Sequence, residues 1–345
     1  ILDHYCPSPS REVSRIHGEM KDFARRFGCT LYGEGEGVCH QLVPEKGHVQ
    51  PGQLVIGSDS HTTTYGALNA FATGVGSTDM AVALHYGLLW FKVPPSVRIE
   101  LKGGIPCGVS AKDIGLHIVG QITARGANGL AIEFSGETLE GLSMDGRLTV
   151  CNLMMETGAK AGIMPADAVC RDWLRERGIG DVRPVVPDRD AAYAGERLVD
   201  VSTLEPQVAV PHRVDNVQPV SLVKGERIAM AFLGTCTNGR IEDLAAAAQI
   251  LKGKKIHPGV VFVIAPASRA VMLEACKRGY IQTLIESGGM LNVPGCGPCV
   301  GALGGVPADD VNVISTANRN FLGRMGNVKA RIYLASPATL AASCL

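Results

Sequence analysis

Apolar side chains recur at spacings of three and four between residues 11 and 27, where Val13, Ile16, Met20, Phe23 and Phe27 line one face. That period predicts an amphipathic helix, and Gly28 stands where a glycine ends one. A glycine-rich turn at 33–37 then leads to Val38-Cys39-His40-Gln41-Leu42. Residues 53–57 have strand character and enter Ser58-Asp59-Ser60-His61-Thr62, from which a helix is expected to about residue 73. A second apolar helix is expected over 78–90, and Pro94-Pro95 marks a domain boundary.

Beyond that boundary the pattern predicts a strand over 97–102, a helix over 111–123, a strand over 130–134 and a helix over 146–157. Residues 203–224 show no sustained period and read as an extended linker. A strand at 227–233 is followed by Gly234-Thr235-Cys236-Thr237-Asn238-Gly239-Arg240. A helix comes next, with Ile241, Leu244, Ala248 and Leu251 on one face and Glu242 and Asp243 suited to its first turn. A strand over 260–265 and helical structure over 268–287 precede Pro294-Gly295-Cys296-Gly297-Pro298-Cys299-Val300-Gly301. A last strand near 311–314 enters Ala317-Asn318-Arg319-Asn320-Phe321.

This alternation of strand, turn and helix argues for an α/β protein with largely parallel sheets. Read by boundaries, the domains are 1–94, 95–202 and 225–345, with 203–224 between the last two. Asp59, His61, Cys236, Cys296, Cys299 and Arg319 all lie just after predicted strands. Ligand sites of open α/β sheets gather outside the carboxyl ends of the strands, so one shared cleft is expected.

Charge and cysteine content narrow the chemistry. Lys+Arg and Asp+Glu both total 33, which removes a general polyanion binder and leaves only local positive charge to recognise a ligand. No basic, aromatic-rich stripe suggests nucleic acid, and the longest apolar runs are too short to span a membrane. Eleven cysteines in a chain this long are an odd count without a framework spacing. Cys107, Cys151, Cys170 and Cys276 sit singly in apolar surroundings and read as buried small hydrophobes in a reducing, cytoplasmic compartment.

Cys296-Gly297-Pro298-Cys299 on its own is compatible with a redox dithiol, half of a zinc site or part of an iron–sulfur site. A dithiol of the thioredoxin type expects an aromatic residue ahead and a small domain. Structural zinc expects four closed ligands, and no nearby histidine completes them. Three cysteines in glycine turns suit a [4Fe–4S] cluster with one iron not ligated by protein, an open Lewis-acid position. Asp3-His4, His40, Asp59-Ser60-His61 and Glu133 are the acid/base candidates. Each taken singly also reads as a cap or a solvated turn residue, Asp59 as a helix N-cap. Arg319 and Arg324 read either as solvated loop residues or as a clamp on substrate carboxylates.

The four motifs Ser58-Asp59-Ser60-His61-Thr62, Gly-Thr-Cys-Thr-Asn, Pro-Gly-Cys-Gly-Pro-Cys and Ala-Asn-Arg-Asn-Phe-Leu-Gly-Arg resemble the aconitase superfamily. Within it the chain is most similar to the separate large subunits of the isopropylmalate dehydratases and homoaconitases. The resemblance implies three α/β/α domains around a central cleft. It implies Cys236, Cys296 and Cys299 as cluster ligands, Asp3 paired with His4, Asp59 with His40, and Glu133 with His61. It places Ser60, Arg319 and Arg324 at the substrate. The implied reaction removes water from a 2-hydroxy diacid and adds it back with the hydroxyl moved to the neighbouring carbon, 3-isopropylmalate being expected ahead of homoaconitate or a methyl-substituted malate. Earlier N-terminal residues and the swivelling domain of the family are expected outside this sequence. The swivelling domain supplies a serine base and another arginine, so a small-subunit partner in a heterodimer or heterotetramer is expected. A binding protein for iron or RNA that keeps only the fold is the competing reading.

Overall fold

The computed structural model describes all residues, 1–345. They fall into two compact units, one made of Ile1–Leu42 with Val208–Leu345 and the other of Val43–Gln207. This division differs from the expected boundaries at 94 and 202.

Helix α1 spans Arg11–Phe27 as its period predicts, with Ser10 accepting from the Val13 N–H and Gly28 in the left-handed region at its end. Its orientation is the reverse of the expected one. Ile16, Met20, Phe23 and Phe27 are exposed, and His17 and Ala24 are buried. Helix α2 covers Cys39–Glu45, so the first division falls inside it.

In the 43–207 unit, β1 (Leu54–Gly57) pairs in parallel with β2 (Phe71–Gly74). Between them lies a 3₁₀ helix, Ser60–Leu68, where a long α-helix was expected. Asp59 caps its start, and Asn69, at φ 60°, ends it. Gly66 explains the tight packing here, since a Cβ on it would lie 1.8 Å from the Gly162 carbonyl oxygen. Two strands cannot form a core alone, and this layer is secured to the rest of the unit by bonds such as Asn152 Nδ2 to Thr64 Oγ1, 2.9 Å. Pro94-Pro95 is therefore no unit boundary. Helix α3 stops at Tyr86 rather than residue 90, because Gly87 turns left-handed, and none of its residues is buried.

The remaining elements of this unit are β3 (Ser96–Lys102), α4 (Ala111–Ile122), β4 (Ala131–Ser135), α5 (Met144–Met154), β5 (Ala161–Ile163), α6 (Ala168–Arg175) and β6 (Gly195–Asp200). They form a parallel sheet in the order β5-β4-β3-β6. Arg147 of α5 is fully buried and forks onto Asp167 at 2.7 and 2.6 Å while donating to the Leu139 and Leu142 carbonyls. Asp167 in turn caps α6. Removing one partner of such a pair leaves several polar groups unmatched. Arg147→Met is expected to lower the unfolding free energy by about 3 kcal/mol, read as a shift in the urea midpoint.

The second part of the other unit holds β7 (Gln207–Ala209), β8 (Val217–Pro219), β9 (Met230–Leu233), α7 (Ile241–Leu251), β10 (Val261–Ile264), α8 (Arg269–Lys277), α9 (Tyr280–Glu286), β11 (Met290–Leu291), β12 (Asn312–Ser315), β13 (Arg331–Leu334) and α10 (Pro337–Ser343). The sheet order is β11-β10-β9-β12-β13-β7-β8, with the first five strands parallel and β7 antiparallel to β13. Residues 203–224, expected as a linker, thus supply the last two strands at one side of the sheet, and buried Asn320 Nδ2 donates to carbonyls of Ala209 and Val210 in that stretch. Helical 268–287 is two helices, parted by left-handed Gly279. Leu244, Ala248, Leu251, Phe262 and Ile264 are core residues of this unit.

Candidate functional site

Strand order reverses at β9: β10 and β11 lie to one side of it, β12 and β13 to the other. A parallel sheet opens a crevice at such a switch point, between the loops leaving the two adjacent strands. Those loops are the Cys236 turn after β9 and the Arg319 segment after β12, and the Cys296/Cys299 turn leaves the same ends after β11. Thr316 Oγ1 ties the first two together, accepting from the Gly234 N–H at 2.9 Å and donating to the Asn238 carbonyl at 3.2 Å.

Glycine lets these loops pack backbone to backbone. A Cβ on Gly234 or Gly239 would sit 2.8 or 2.9 Å from the Ala265 carbonyl oxygen, at the end of β10. The N-terminal segment hangs from the same loop, with the Val38 N–H donating to the Ala267 carbonyl at 2.8 Å and the Arg269 N–H to that of Glu36 at 2.8 Å. Cys296 consequently packs with Val38 and Ala267, and Cys236 packs against that group.

Two of the sulfurs have an N–H donor against them. Asn318 Nδ2 lies 3.4 Å from Cys236 Sγ, and Arg324 Nη2 donates to Cys299 Sγ at 3.1 Å. The Cys299 N–H donates to the Cys296 carbonyl at 3.2 Å. Gly301 and Gly326 touch through their backbones, for a Cβ on Gly301 would lie 2.2 Å from the Gly326 nitrogen. Arg319 is partly buried, and His40 is buried in the first turn of α2.

Asp3 and His4 form the expected pair, with His4 Nδ1 2.9 Å from Asp3 Oδ1. Ligand atoms of Asp3, His4 and Cys296 all lie within 4.8 Å of one another. Both Asp3 oxygens are engaged by the protein, the second accepting from the Cys39 N–H at 2.7 Å. Burial raises its pKa, but the His4 hydrogen bond and charge and the Cys39 N–H outweigh that and bring it down to about 2. The carboxylate stays ionised and holds the imidazole. Three thiols are the soft donors left at the sheet edge, with N–H donors on two of the sulfurs, a set that fits an iron–sulfur cluster.

In the 43–207 unit, one expected pairing is corrected. His61 Nε2 lies 2.8 Å from Glu156 Oε1, and both side chains are buried. Asp59 Oδ1 accepts the His61 backbone N–H at 2.7 Å and lies 3.5 Å from Nδ1, with Ser60 Oγ 3.4 Å from that nitrogen. Glu133 instead accepts the Tyr193 hydroxyl at 3.2 Å, in a pocket of about 390 Å³ lined also by Arg98 and Phe134. The two acids differ because Glu133 lies within β4, whereas Glu156 lies in the 3₁₀ turn after α5, whose residues pack on the His61-bearing 3₁₀ helix. Glu156 was legible in principle. A lone carboxylate at the C-terminal end of an apolar helix opposes the helix dipole and needs a reason to be there.

The remaining cysteines divide. Cys151, Cys170 and Cys344 are buried, and burial pushes the Cys170 thiol up to about 11 and that of Cys344 to about 12. Cys107 and Cys276, expected inside, are exposed.

A model of the aconitase family (aconitate hydratase) matches residues 8–227 and 221–345. The 3-isopropylmalate dehydratase large subunit 2 of Archaeoglobus fulgidus is 49% identical over 346 residues, which cover 100% of this chain and 83% of that protein. The probable methanogen homoaconitase large subunit of Methanosarcina mazei is 48% identical, covering 100% of this chain and 88% of that one. The crystal structure of Thermococcus kodakaraensis aconitase X in its holo-form aligns with a TM-score of 0.50 over 90% of this chain and 72% of that one. At 14% identity, that likeness speaks to the fold alone. Since the family model spans nearly the whole sequence and relatives match it from end to end, the chain belongs to the aconitase family.

Proposed function

We infer that this chain is the large, catalytic subunit of an iron–sulfur hydro-lyase that interconverts 2-isopropylmalate and 3-isopropylmalate, a step of leucine biosynthesis. The observation that carries the reading is the set of three thiols at the carboxyl edge of one parallel sheet, with an ionised Asp3 holding His4 beside Cys296. The choice of substrate follows the relatives named for 3-isopropylmalate, among them one of Elusimicrobium minutum that is 49% identical.

Cys236, Cys296 and Cys299 would hold a [4Fe–4S] cluster. Held by three protein ligands, such a cluster would supply one open Lewis-acid position for a substrate hydroxyl. Arg319 and Arg324 bind the substrate carboxylates, a task that suits the planar guanidinium fork. His61, oriented by Glu156 and Asp59, delivers a proton to the departing hydroxyl, and Ser60 donates to substrate oxygen. Asp3 fixes His4 in one orientation for proton traffic beside Cys296, and His40 stands ready on α2. Glu133 has no part in this chemistry. The base that removes the carbon-bound proton comes from a small swivel-domain subunit, so the chain alone does not turn over.

The test is anaerobic reconstitution with iron and sulfide, then assay with the cognate small subunit. Turnover of 3-isopropylmalate is expected, with none from the large subunit by itself. Turnover of homoaconitate but not isopropylmalate would overturn the substrate assignment, and ordered zinc on the thiols would overturn the cluster.

A further inference from the structure

Arg240 closes the Cys236 turn and is fully buried. Burying a guanidinium is costly unless its donors are matched, and here the matching partners sit at the cysteine. Nη2 donates to the Cys236 carbonyl at 2.7 Å, Nη1 to the Thr237 carbonyl at 2.7 Å and Nε to Gln41 Oε1 at 2.9 Å. Gln41 directly follows His40. One side chain thus joins the turn that presents a thiol to the helix that presents an imidazole.

The turn needs such a brace. Thr235 has φ 77°, a left-handed conformation that L-residues with a side chain rarely adopt because Cβ crowds the following carbonyl. Backbone strain of this kind persists only where the surroundings over-determine it. Part of that restraint is local, with the Thr237 N–H donating to Thr235 Oγ1 at 3.2 Å. Thr316 and the Ala267 N–H hold the two ends of the turn, at Gly234 and at Asn238 and Gly239, and Arg240 fixes its middle through the carbonyls of Cys236 and Thr237. The Arg240 N–H is held in turn by Asp243 Oδ2 at 2.9 Å, so the guanidinium hangs from the rigid first turn of α7.

We propose that Arg240 is a positioning residue for the iron–sulfur site, holding Cys236 ready for the cluster in the metal-free protein and tying its turn to the His40 helix. This rests on the iron–sulfur reading above. A lysine keeps the charge but lacks the fork, and it cannot reach both carbonyls and Gln41 together. In Arg240→Lys, the ends of the turn stay tied by Thr316 and Ala267, but the carbonyls of Cys236 and Thr237 lose their donors and Cys236 loses its set position between them.

The experiment compares Arg240→Lys with Arg147→Lys, a buried arginine of the 43–207 unit, as a control for general destabilisation. Each is reconstituted anaerobically with iron and sulfide, and cluster content, its EPR signal and the rate of bleaching in air are measured beside the unfolding midpoint. Arg240→Lys should bind cluster about 10-fold to 100-fold more weakly and bleach correspondingly faster. Arg147→Lys should keep wild-type content and bleaching at a comparable loss of stability. If Arg240→Lys does not fold, Gln41→Leu decides, since it removes one anchor of the guanidinium and should shift bleaching in the same direction by less. Wild-type content and bleaching in Arg240→Lys, or in Gln41→Leu where that variant decides, overturns the proposal. Equal cluster loss in Arg147→Lys also overturns it. A wild-type chain that binds no cluster would instead sink the iron–sulfur reading, which keeps the two failures distinct.

Discussion

Cys236→Ser, Cys296→Ser and Cys299→Ser are each expected to abolish cluster binding and hydro-lyase turnover while leaving the protein folded. Serine is nearly isosteric with cysteine, so packing with Val38 and Ala267 survives the change. The chemistry does not survive, because a hydroxyl is a hard donor that stays protonated at neutral pH whereas iron–sulfur iron selects thiolate. Two backbone features make compensation by a neighbouring group difficult. The Cys236 turn is pinned by Thr316 and by the Ala265 and Ala267 loop, so it cannot swing to offer another ligand. The Cys296–Cys299 turn is closed by its own hydrogen bond and backed by Gly301 on Gly326. Cys170→Ser and Cys276→Ser are the controls, one thiol inert through burial and the other exposed in the last turn of α8, and both should keep full iron and sulfide content. Iron and sulfide analysis with EPR checks all five variants. Full activity in Cys296→Ser would mean that the thiols hold no catalytic cluster.

Glu156→Gln is expected to cut turnover by about 10²- to 10⁴-fold, the range of general acid–base contributions, with little change in the unfolding midpoint. The substitution is chosen because glutamine keeps the shape and an acceptor oxygen 2.8 Å from His61 Nε2, removing only the charge. If the carboxylate merely oriented the ring, the amide oxygen would do so equally well and activity would survive. Large loss therefore reports a charge that the proton-transfer step uses. Glu133→Gln is the internal comparison, and it should stay near wild type because Glu133 meets Tyr193 rather than His61. The reverse ranking would restore the pairing that the sequence motifs imply and displace the one seen in the structure.

Much of this site was readable before the fold. Cysteines announce themselves by residue type, and the glycines around Cys236 and Cys296 mark places where backbones must touch, as Gly234, Gly239 and Gly301 do. Strand-then-turn placement also carried over, because the helical and strand periods around β9, α7 and β10 are strong. Pairing was harder. Which acid meets His61 depends on how α5 packs on a 3₁₀ helix 95 residues away in sequence, and no local period encodes that. Glu133 was the more conspicuous acid, standing alone in a short apolar strand, yet register sets it beside Arg98 and across from Tyr193. The 3₁₀ helix at Ser60–Leu68 escaped for a related reason: its shape is imposed by Gly66 lying against Gly162, a contact between distant segments. Strands β7 and β8 read as linker in the sequence because each is three residues long, and β7 is fixed by pairing with the distant β13.

The contact of Gly301 with Gly326 has a mechanical side. Each glycine fills the space in which the other's side chain would have to stand, and the two loops have no slack between them. Arg324, two residues before Gly326, already spans to the Cys299 sulfur. A displacement of the two-cysteine loop is therefore transmitted to the guanidinium that would grip a carboxylate. On the proposed function, loss of the cluster and loss of substrate affinity would then be a single event, and a damaged enzyme would release its substrate instead of holding it idle.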